Sequence, residues 1–277
     1  MIGRMTSAIL RGLLVAMLVA TPSLLLPAHT SEAIEMVALL ALLAGVLTFI
    51  EYNTNYPSFV EFRDAPPLNR LRFVSLFGMV FVLSVIMKNQ YEPTEMTSTF
   101  ASIGAMIGNG SDFPYSPVRL VILMLPENIS SATVDSVRVA AGISYMLGLA
   151  TVLMFLIVVR LFGWPLSAGA FNVWVNLPLF DPTAGGDVVN RLQRDGRINV
   201  ILGVLLPFII PAIVKAASDL INPITLNDPQ TLIWTMSAWA FLPASMIMRG
   251  VAMMRIAELI EEKRRRAYAN AEALQAA

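Results

Sequence analysis

Residues able to do acid–base, nucleophilic or metal chemistry are few in this 277-residue chain. There is no cysteine, so thiolate chemistry, disulfides and a cysteine nucleophile are excluded. The single histidine, His29, excludes a multi-histidine metal site and is expected to lie at the end of an apolar segment as an interface residue. We therefore predict no catalytic residue, no cofactor-binding residue and no metal ligand, and we expect no enzymatic activity. A membrane-embedded enzyme would have only carboxylate or serine chemistry in the loops, and no spacing identifies one.

Carboxylates are absent from the middle of the long apolar runs, and Glu35 and Glu51 lie only at the two ends of one run. A charge at the centre of a bilayer costs roughly 3 kcal/mol or more, so such groups usually mark transport or proton pathways. This absence argues against a proton-coupled carrier and against an intramembrane metalloprotease. Arg249 is the most deeply placed charge and the first suspect for a functional one.

Arginine is the prominent charged side chain, concentrated in residues 51–72, in residues 160–199 and in the C-terminal tail. These clusters predict contacts with lipid headgroups or with the acidic surface of a partner protein. Ordinary enrichment of basic residues on the cytoplasmic side of a membrane explains the same pattern. The candidate headgroup- or partner-binding residues are Arg70, Arg72, Arg191, Arg194, Arg197, Arg264 and Arg265.

The two arginine-bearing stretches resemble each other at a constant offset of 121 residues. Asn55, Pro57, Phe59, Asn69, Arg70 and Leu71 recur as Asn176, Pro178, Phe180, Asn190, Arg191 and Leu192. A tandem duplication of span, loop and span, in parallel orientation, is one explanation, and chance similarity within one chain is the other. If the duplication is real, the two loops should pack as a pseudo-symmetric pair.

The second stretch also contains a helix-start signal. Asp187 follows a loop rich in proline and glycine and could cap a short helix over Val188 to Arg194. Its two glycines do not form a nucleotide-binding loop, because the chain has no G-x-x-x-x-G-K-[ST] motif.

Hydrophobic residues make up 56% of the chain and charged residues 14%, which is far more apolar than a soluble domain requires. The 19 basic and 19 acidic residues balance, so no general attraction to nucleic acid is expected. The composition predicts an all-α, polytopic integral membrane protein, with the lipid bilayer as its surroundings.

We assign six apolar segments as membrane spans, and the second, with about seventeen residues, is near the minimum that crosses a hydrocarbon core of about 30 Å. They are Leu13 to Leu26, Ile34 to Ile50, Phe73 to Met87, Val139 to Val159, Val200 to about Ala217, and Thr231 to Met254. Residues 34–254 thus form the helical membrane domain, with loops 51–72 and 160–199 on one side. Residues 1–33 read either as a retained first span or as a signal peptide cleaved near Ser31 to Ala33, and we favour retention.

Residues 88–138 form the longest connection, on the other side of the membrane. It contains two apolar runs of eight residues, Phe100 to Ile107 and Val118 to Leu125, each too short to cross alone. These runs suit a re-entrant hairpin within 100–125 or two short helices of an external cap.

Three further segments suggest how the spans pack. Ala140, Ser144 and Gly148 recur every four residues in the fourth span, a spacing that lets another helix approach closely. Pro207 and Pro211 each remove a backbone hydrogen bond from the fifth span, which predicts a kink. The tail, residues 255–277, has glutamate and arginine four residues apart and is predicted to continue as a cytoplasmic helix.

The distribution of lysine and arginine predicts the orientation. With six spans, 15 of the 19 basic residues fall on the side of the N- and C-termini, and the remaining four are Lys88, Arg119, Arg138 and Lys215. Both termini and both arginine-bearing loops are therefore expected in the cytoplasm. The excess of arginine over lysine and the high alanine content point to a bacterial cytoplasmic (inner) membrane.

These features favour a non-enzymatic accessory, scaffold or assembly subunit of a larger inner-membrane complex, with other membrane protein subunits as partners. The alternative is a small-solute transporter or channel, suggested by the proline-bearing fifth span, the possible hairpin and the possible duplication.

Overall fold

The structure is a computed structural model that describes residues 2–27, 30–165, 176–180, 185–217 and 226–276. The interface prediction for His29 lies outside these residues. Within them the chain is helical and contains no strand. The helices are α1 (Ile2–Leu25), α2 (Ser31–Asn53), α3 (Leu68–Lys88), α4 (Glu95–Ser111), α5 (Pro117–Leu123), α6 (Ser131–Leu161), α7 (Val188–Ala217) and α8 (Pro229–Ala276).

Six of these helices, α1, α2, α3, α6, α7 and α8, are long and apolar enough to cross a membrane. The prediction of six apolar helices is confirmed, as is the all-α class. Several helices begin well before the apolar run that predicted them, because polar residues next to a span continue its helical hydrogen bonding. The short helix predicted to begin at Val188 is in fact the first turns of α7, which runs on through the fifth apolar segment.

Two apolar clusters form the core. One cluster joins α3, α5, α6 and α8 around Met79, Leu83, Val121 and Met236. The other lies at the opposite end of the long helices and joins the connecting loops to α6 and α8 around Phe62, Trp164 and Leu192. Trp164 and Leu177, which lie between α6 and α7, therefore pack at the same end of the bundle as the loop 54–67.

Glycines allow α7 and α8 to cross in close contact. A Cβ added to Gly250 would lie 2.5 Å from the carbonyl oxygen of Gly196, and one added to Gly203 would lie 2.7 Å from that of Pro243. Real side-chain carbons do not approach backbone oxygens so closely. Small residues at these positions therefore let the two helices meet backbone to backbone.

Both predicted kink prolines lie inside α7, which stays helical through Pro207 and Pro211. Pro211 has no N–H to donate to the carbonyl of Pro207, four residues earlier. The indole N–H of Trp239 on α8 donates to this carbonyl at 3.3 Å, and Trp239 is buried. Trp239 is thus a core residue that satisfies a proline-freed carbonyl.

The helices α1 and α2 form a peripheral hairpin. A Cβ on Gly12 would lie 2.7 Å from the carbonyl oxygen of Gly45, so the two helices also pack tightly. Among the described helices, α2 packs only against α1. Removal of residues 1–33 would deprive α2 of this neighbour; retention of the first span stays a prediction.

The connection 88–138 folds as α4 and α5 at the other end of the bundle. A Cβ on Gly142 of α6 would lie 2.7 Å from Cα of Gly108, so α4 packs directly on α6. In the turn between α4 and α5, Asp112 forms ion pairs with Arg119 and Arg138, both at 3.0 Å. The choice between a re-entrant hairpin and an external cap stays a prediction.

Candidate functional site

The first loop, residues 54–67, is fastened to the end of α2 by two charged side chains. The buried carboxylate of Glu51 accepts hydrogen bonds from the backbone N–H groups of Ser58, Phe59 and Val60, at 3.0–3.3 Å. The guanidinium of Arg63 donates to the carbonyl oxygens of Glu51, Thr54 and Asn55 at 2.8–3.3 Å. These two side chains thus satisfy backbone groups of the loop and of the end of α2.

A second ion pair fastens the same loop to α8. Glu61, which is buried, accepts two hydrogen bonds from Arg249, at 2.5 Å from Nε and 2.8 Å from Nη2. Arg72 of α3 interacts electrostatically with both Glu61 and Arg249, and it donates to the carbonyl oxygen of Ser245 at 3.0 Å. The most deeply placed charge in the sequence is therefore neutralised by a carboxylate from the loop.

The two loops contact each other. Phe62 N–H donates to the carbonyl oxygen of Asn176 at 2.6 Å, and Asp64 N–H donates to Asn176 Oδ1 at 3.0 Å. The indole N–H of Trp164 lies 3.3 Å from the carbonyl oxygen of Ala65 and 3.2 Å from that of Pro66. The two loops thus contact each other directly.

The repeated residues themselves have unlike surroundings. Phe59 is 54% exposed, whereas Phe180 is 6% exposed and lies 4.7 Å beneath the guanidinium of Arg191. Asn55 is exposed and Asn176 is buried. The N-R-L triplets do share a position, because each lies within the first five residues of a helix, α3 or α7. The loop contact is therefore not pseudo-symmetric at the repeated side chains, and the duplication stays a hypothesis.

A cavity of about 780 Å³ lies where α1, the end of α2, the first loop and the start of α3 meet. We call it the arginine-rimmed cavity. Its polar rim contains Arg11, Tyr52, Arg63, Asp64, Asn69 and Arg70. Its apolar lining includes Leu14, Val15, Phe73 and Val74.

The rim arginines differ in how their charge is used. Arg63 is committed to three backbone carbonyls and lies 3.4 Å from the carboxylate of Asp64. Arg11 lies over the ring of Tyr52, 4.3 Å from its centroid. Among the described residues, neither Arg11 nor the exposed Arg70 has a carboxylate partner. Two cations therefore face the cavity without neutralisation.

The remaining candidate arginines lie elsewhere. Arg194 pairs with Asp195, and Arg197 is exposed on the same stretch of α7. Arg264 donates to Asp187 Oδ1 at 2.8 Å, and Arg265 is exposed on the tail. The hydrogen bond from Arg264 lowers the pKa of the Asp187 carboxyl, which also accepts from Val189 N–H and so caps α7 as expected.

The predicted packing residues Ala140, Ser144 and Gly148 are all buried on α6. A Cβ on Gly148 would lie 3.4 Å from the carbonyl oxygen of Ala240, so this face meets α8 at ordinary contact distance. Closer helix approaches occur instead at Gly12, Gly142, Gly196, Gly203 and Gly250, which sequence reasoning missed. The interval of seven residues between Gly196 and Gly203, two helical turns, was the available signal.

Sequence reasoning also missed the roles of Glu61 and Arg11. No local pattern marks Glu61, whose partner is 188 residues away. Arg11 and Arg70 each precede an apolar run by a few residues, and that shared position was a usable signal.

The described residues hold no group of three or more histidine, cysteine, aspartate or glutamate side chains able to bind a metal ion. The charges of this site fasten a loop and line a cavity, and no pair forms a nucleophile with a general base. Comparison with protein-family models, with curated proteins and with solved structures finds no match.

Proposed function

We propose that this protein is a non-enzymatic accessory or assembly subunit of a larger membrane complex, in a bacterial inner membrane. The observation that carries the proposal is helix α8, which has 48 residues. At 1.5 Å per residue it is about 72 Å long, more than twice the thickness of a hydrocarbon core. It is exposed from Lys263 to Gln275, so it offers partner proteins a long helical surface beyond the bundle.

The charges within the bundle support a structural role. Glu51, Arg63, Glu61 and Arg249 hold the first loop in place rather than form a polar path between the spans. Where α6, α7 and α8 meet, the structure has a cavity of about 220 Å³ lined by Gly148, Val152, Gly203 and Ile247, and its walls are apolar. An apolar cleft of this kind does not suit a small polar solute, so the transporter alternative has less support.

We propose that the protein crosses the membrane six times with both termini in the cytoplasm. Six helices have the required length and apolarity. The first loop, Trp164, Leu177 and the start of the tail share one apolar cluster, so they lie on the same side of the bundle. Fifteen of the 19 basic residues fall on that side, which is the cytoplasmic pattern.

Site-specific photo-crosslinking tests the partner-binding role. A benzophenone amino acid replaces Tyr268, which is 69% exposed on the tail, and in a matched control it replaces Tyr115, which is 88% exposed at the opposite end. We expect one polypeptide to crosslink at Tyr268 and to co-purify in stoichiometric amount from mild detergent. Equal crosslinking at both positions, or a partner-free protein, would contradict the proposal.

A further inference from the structure

We propose that the arginine-rimmed cavity is a binding site for one anionic phospholipid. Arg11 and Arg70 hold the lipid phosphate, and an acyl chain lies along Leu14 and Val74. The cavity is separate from the exposed tail, so an experiment that refutes lipid binding would not refute partner binding, and the reverse also holds.

The charge of the rim selects an anion. Arg11 and Arg70 line the same cavity, and the described residues give neither a carboxylate partner. The ring of Tyr52 supports the guanidinium of Arg11 at 4.3 Å and leaves its N–H groups available to a ligand. Arg63 adds positive charge, although its N–H groups already serve backbone carbonyls. Guanidinium groups bind phosphate with two parallel hydrogen bonds, so this rim suits a phosphate.

One carboxylate opposes anion binding at the rim. Asp64 lines the cavity, but its side chain is 59% exposed and lies 3.4 Å from Arg63. The negative charge of Asp64 is therefore offset by Arg63, which is not one of the two arginines proposed to bind the phosphate. The balance at the rim remains positive.

The apolar wall identifies the anion as a lipid rather than a free phosphate. Helices α1 and α3 start at the same end of the bundle, and each has an arginine followed by an aliphatic residue about one turn further: Arg11 with Leu14, and Arg70 with Val74. Leu14 is 38% exposed and Val74 is 64% exposed. A polar anion would leave this surface uncovered, whereas an acyl chain covers it.

The position along the chain agrees with a headgroup site. Arg11 and Arg70 lie at the boundary where polar sequence gives way to the apolar runs of α1 and α3. In a bilayer this boundary is the level of the lipid phosphates, and basic side chains there attract anionic lipid.

Lipid titration followed by native mass spectrometry tests the site, with the full chain in a mild neutral detergent. The probes are phosphatidylglycerol, zwitterionic phosphatidylcholine and inorganic phosphate. The variant Arg11→Gln/Arg70→Gln removes the two free charges, and the matched control Arg194→Gln/Arg197→Gln removes two charges outside the cavity. We expect one tightly bound phosphatidylglycerol per chain, and an affinity about 30-fold lower in the cavity variant, since each basic side chain contributes about fivefold. The control variant should bind like the wild type.

A third variant, Val74→Trp, fills the apolar part of the cavity without changing charge. It should weaken phosphatidylglycerol binding, and inorganic phosphate alone should bind far more weakly than the lipid. Circular dichroism and gel filtration verify that each variant is folded; if the double variant is not, Arg70→Gln alone should lose about fivefold, because this exposed side chain makes no ion pair.

Three results would overturn the proposal. They are unchanged phosphatidylglycerol affinity in the arginine variant, equal affinity for phosphatidylcholine, and inorganic phosphate binding as tightly as lipid with no effect of Val74→Trp. The last result would identify a small-anion site instead.

Discussion

Replacing Glu61 with glutamine tests whether its ion pair with Arg249 holds the first loop on the bundle. The carboxylate and guanidinium form two hydrogen bonds, at 2.5 and 2.8 Å, with side chains 6% and 25% exposed. In the variant, Arg249 and Arg72 would face each other without the carboxylate that interacts with both. The variant therefore loses the attraction of Glu61 for the two arginines and leaves the repulsion between Arg249 and Arg72 uncompensated.

The size of the effect follows from the geometry. Two unit charges about 4 Å apart at an effective dielectric constant of about 20 attract by roughly 4 kcal/mol. Because Arg249 is partly exposed, we discount this value to about 3 kcal/mol, which lies at the lower end of the measured cost of removing one partner of a buried pair. The double variant Glu61→Gln/Arg249→Met removes both charges and should lose only about 1 kcal/mol.

Unfolding in mixed micelles, with sodium dodecyl sulfate as denaturant, measures these free energies. The buried Trp164, which contacts Phe62 of the first loop, provides a fluorescence signal at the right place. Glu258→Gln is the matched control, because Glu258 also pairs with an arginine, Arg255, but is 55% exposed. That variant should change stability by about 0.5 kcal/mol or less. A Glu61→Gln variant as stable as this control, or strict additivity with Arg249→Met, would refute the reasoning.

The same unfolding assay checks two further contacts. Gly250→Ala should destabilise the protein by about 1–3 kcal/mol, because its Cβ would lie 2.5 Å from the Gly196 carbonyl oxygen, whereas Gly78→Ala, with nothing within 4 Å, should be neutral or stabilising. Trp239→Phe should cost about 1–3 kcal/mol by leaving the Pro207 carbonyl without a donor, and more than Trp234→Phe, which breaks no such bond; equal effects of the two tryptophan variants would contradict this role.

Hydropathy alone predicted the six apolar helices, because a run of about 20 apolar residues has few structural options. It did not predict the true helix bounds. The helix α7 begins at Val188, twelve residues before the apolar run, since Asp187 caps it and polar residues form its first turns. Apolarity reports where a helix is buried in lipid, whereas hydrogen bonding determines where it begins.

The candidate site was only partly readable from sequence. Arg70 was identified as a headgroup-binding candidate because it is basic and follows a loop, but the same reasoning also selected Arg72, Arg194 and Arg264. The structure gives each of these three a polar partner: the carbonyl oxygen of Ser245, Asp195 and Asp187, respectively. Arg197 and Arg265 are exposed like Arg70 but do not line the cavity, and which arginine lines it depends on contacts between residues far apart in the chain. Hydropathy and local spacing carry no information about those contacts.

Two groups of arginines have complementary roles in the proposed lipid site: Arg63 and Arg249 hold the first loop in place, and Arg11 and Arg70 face the ligand. Asn69, next to Arg70, donates to the carbonyl oxygen of Glu61 at 2.7 Å, so the ion pair with Arg249 also positions the start of α3 beside the loop. Glu51 and Arg63 hold the other end of that loop. The cavity rim is therefore ordered before any ligand arrives. A pre-ordered site loses less conformational entropy on binding, which lets two arginines and a short apolar wall retain a single lipid.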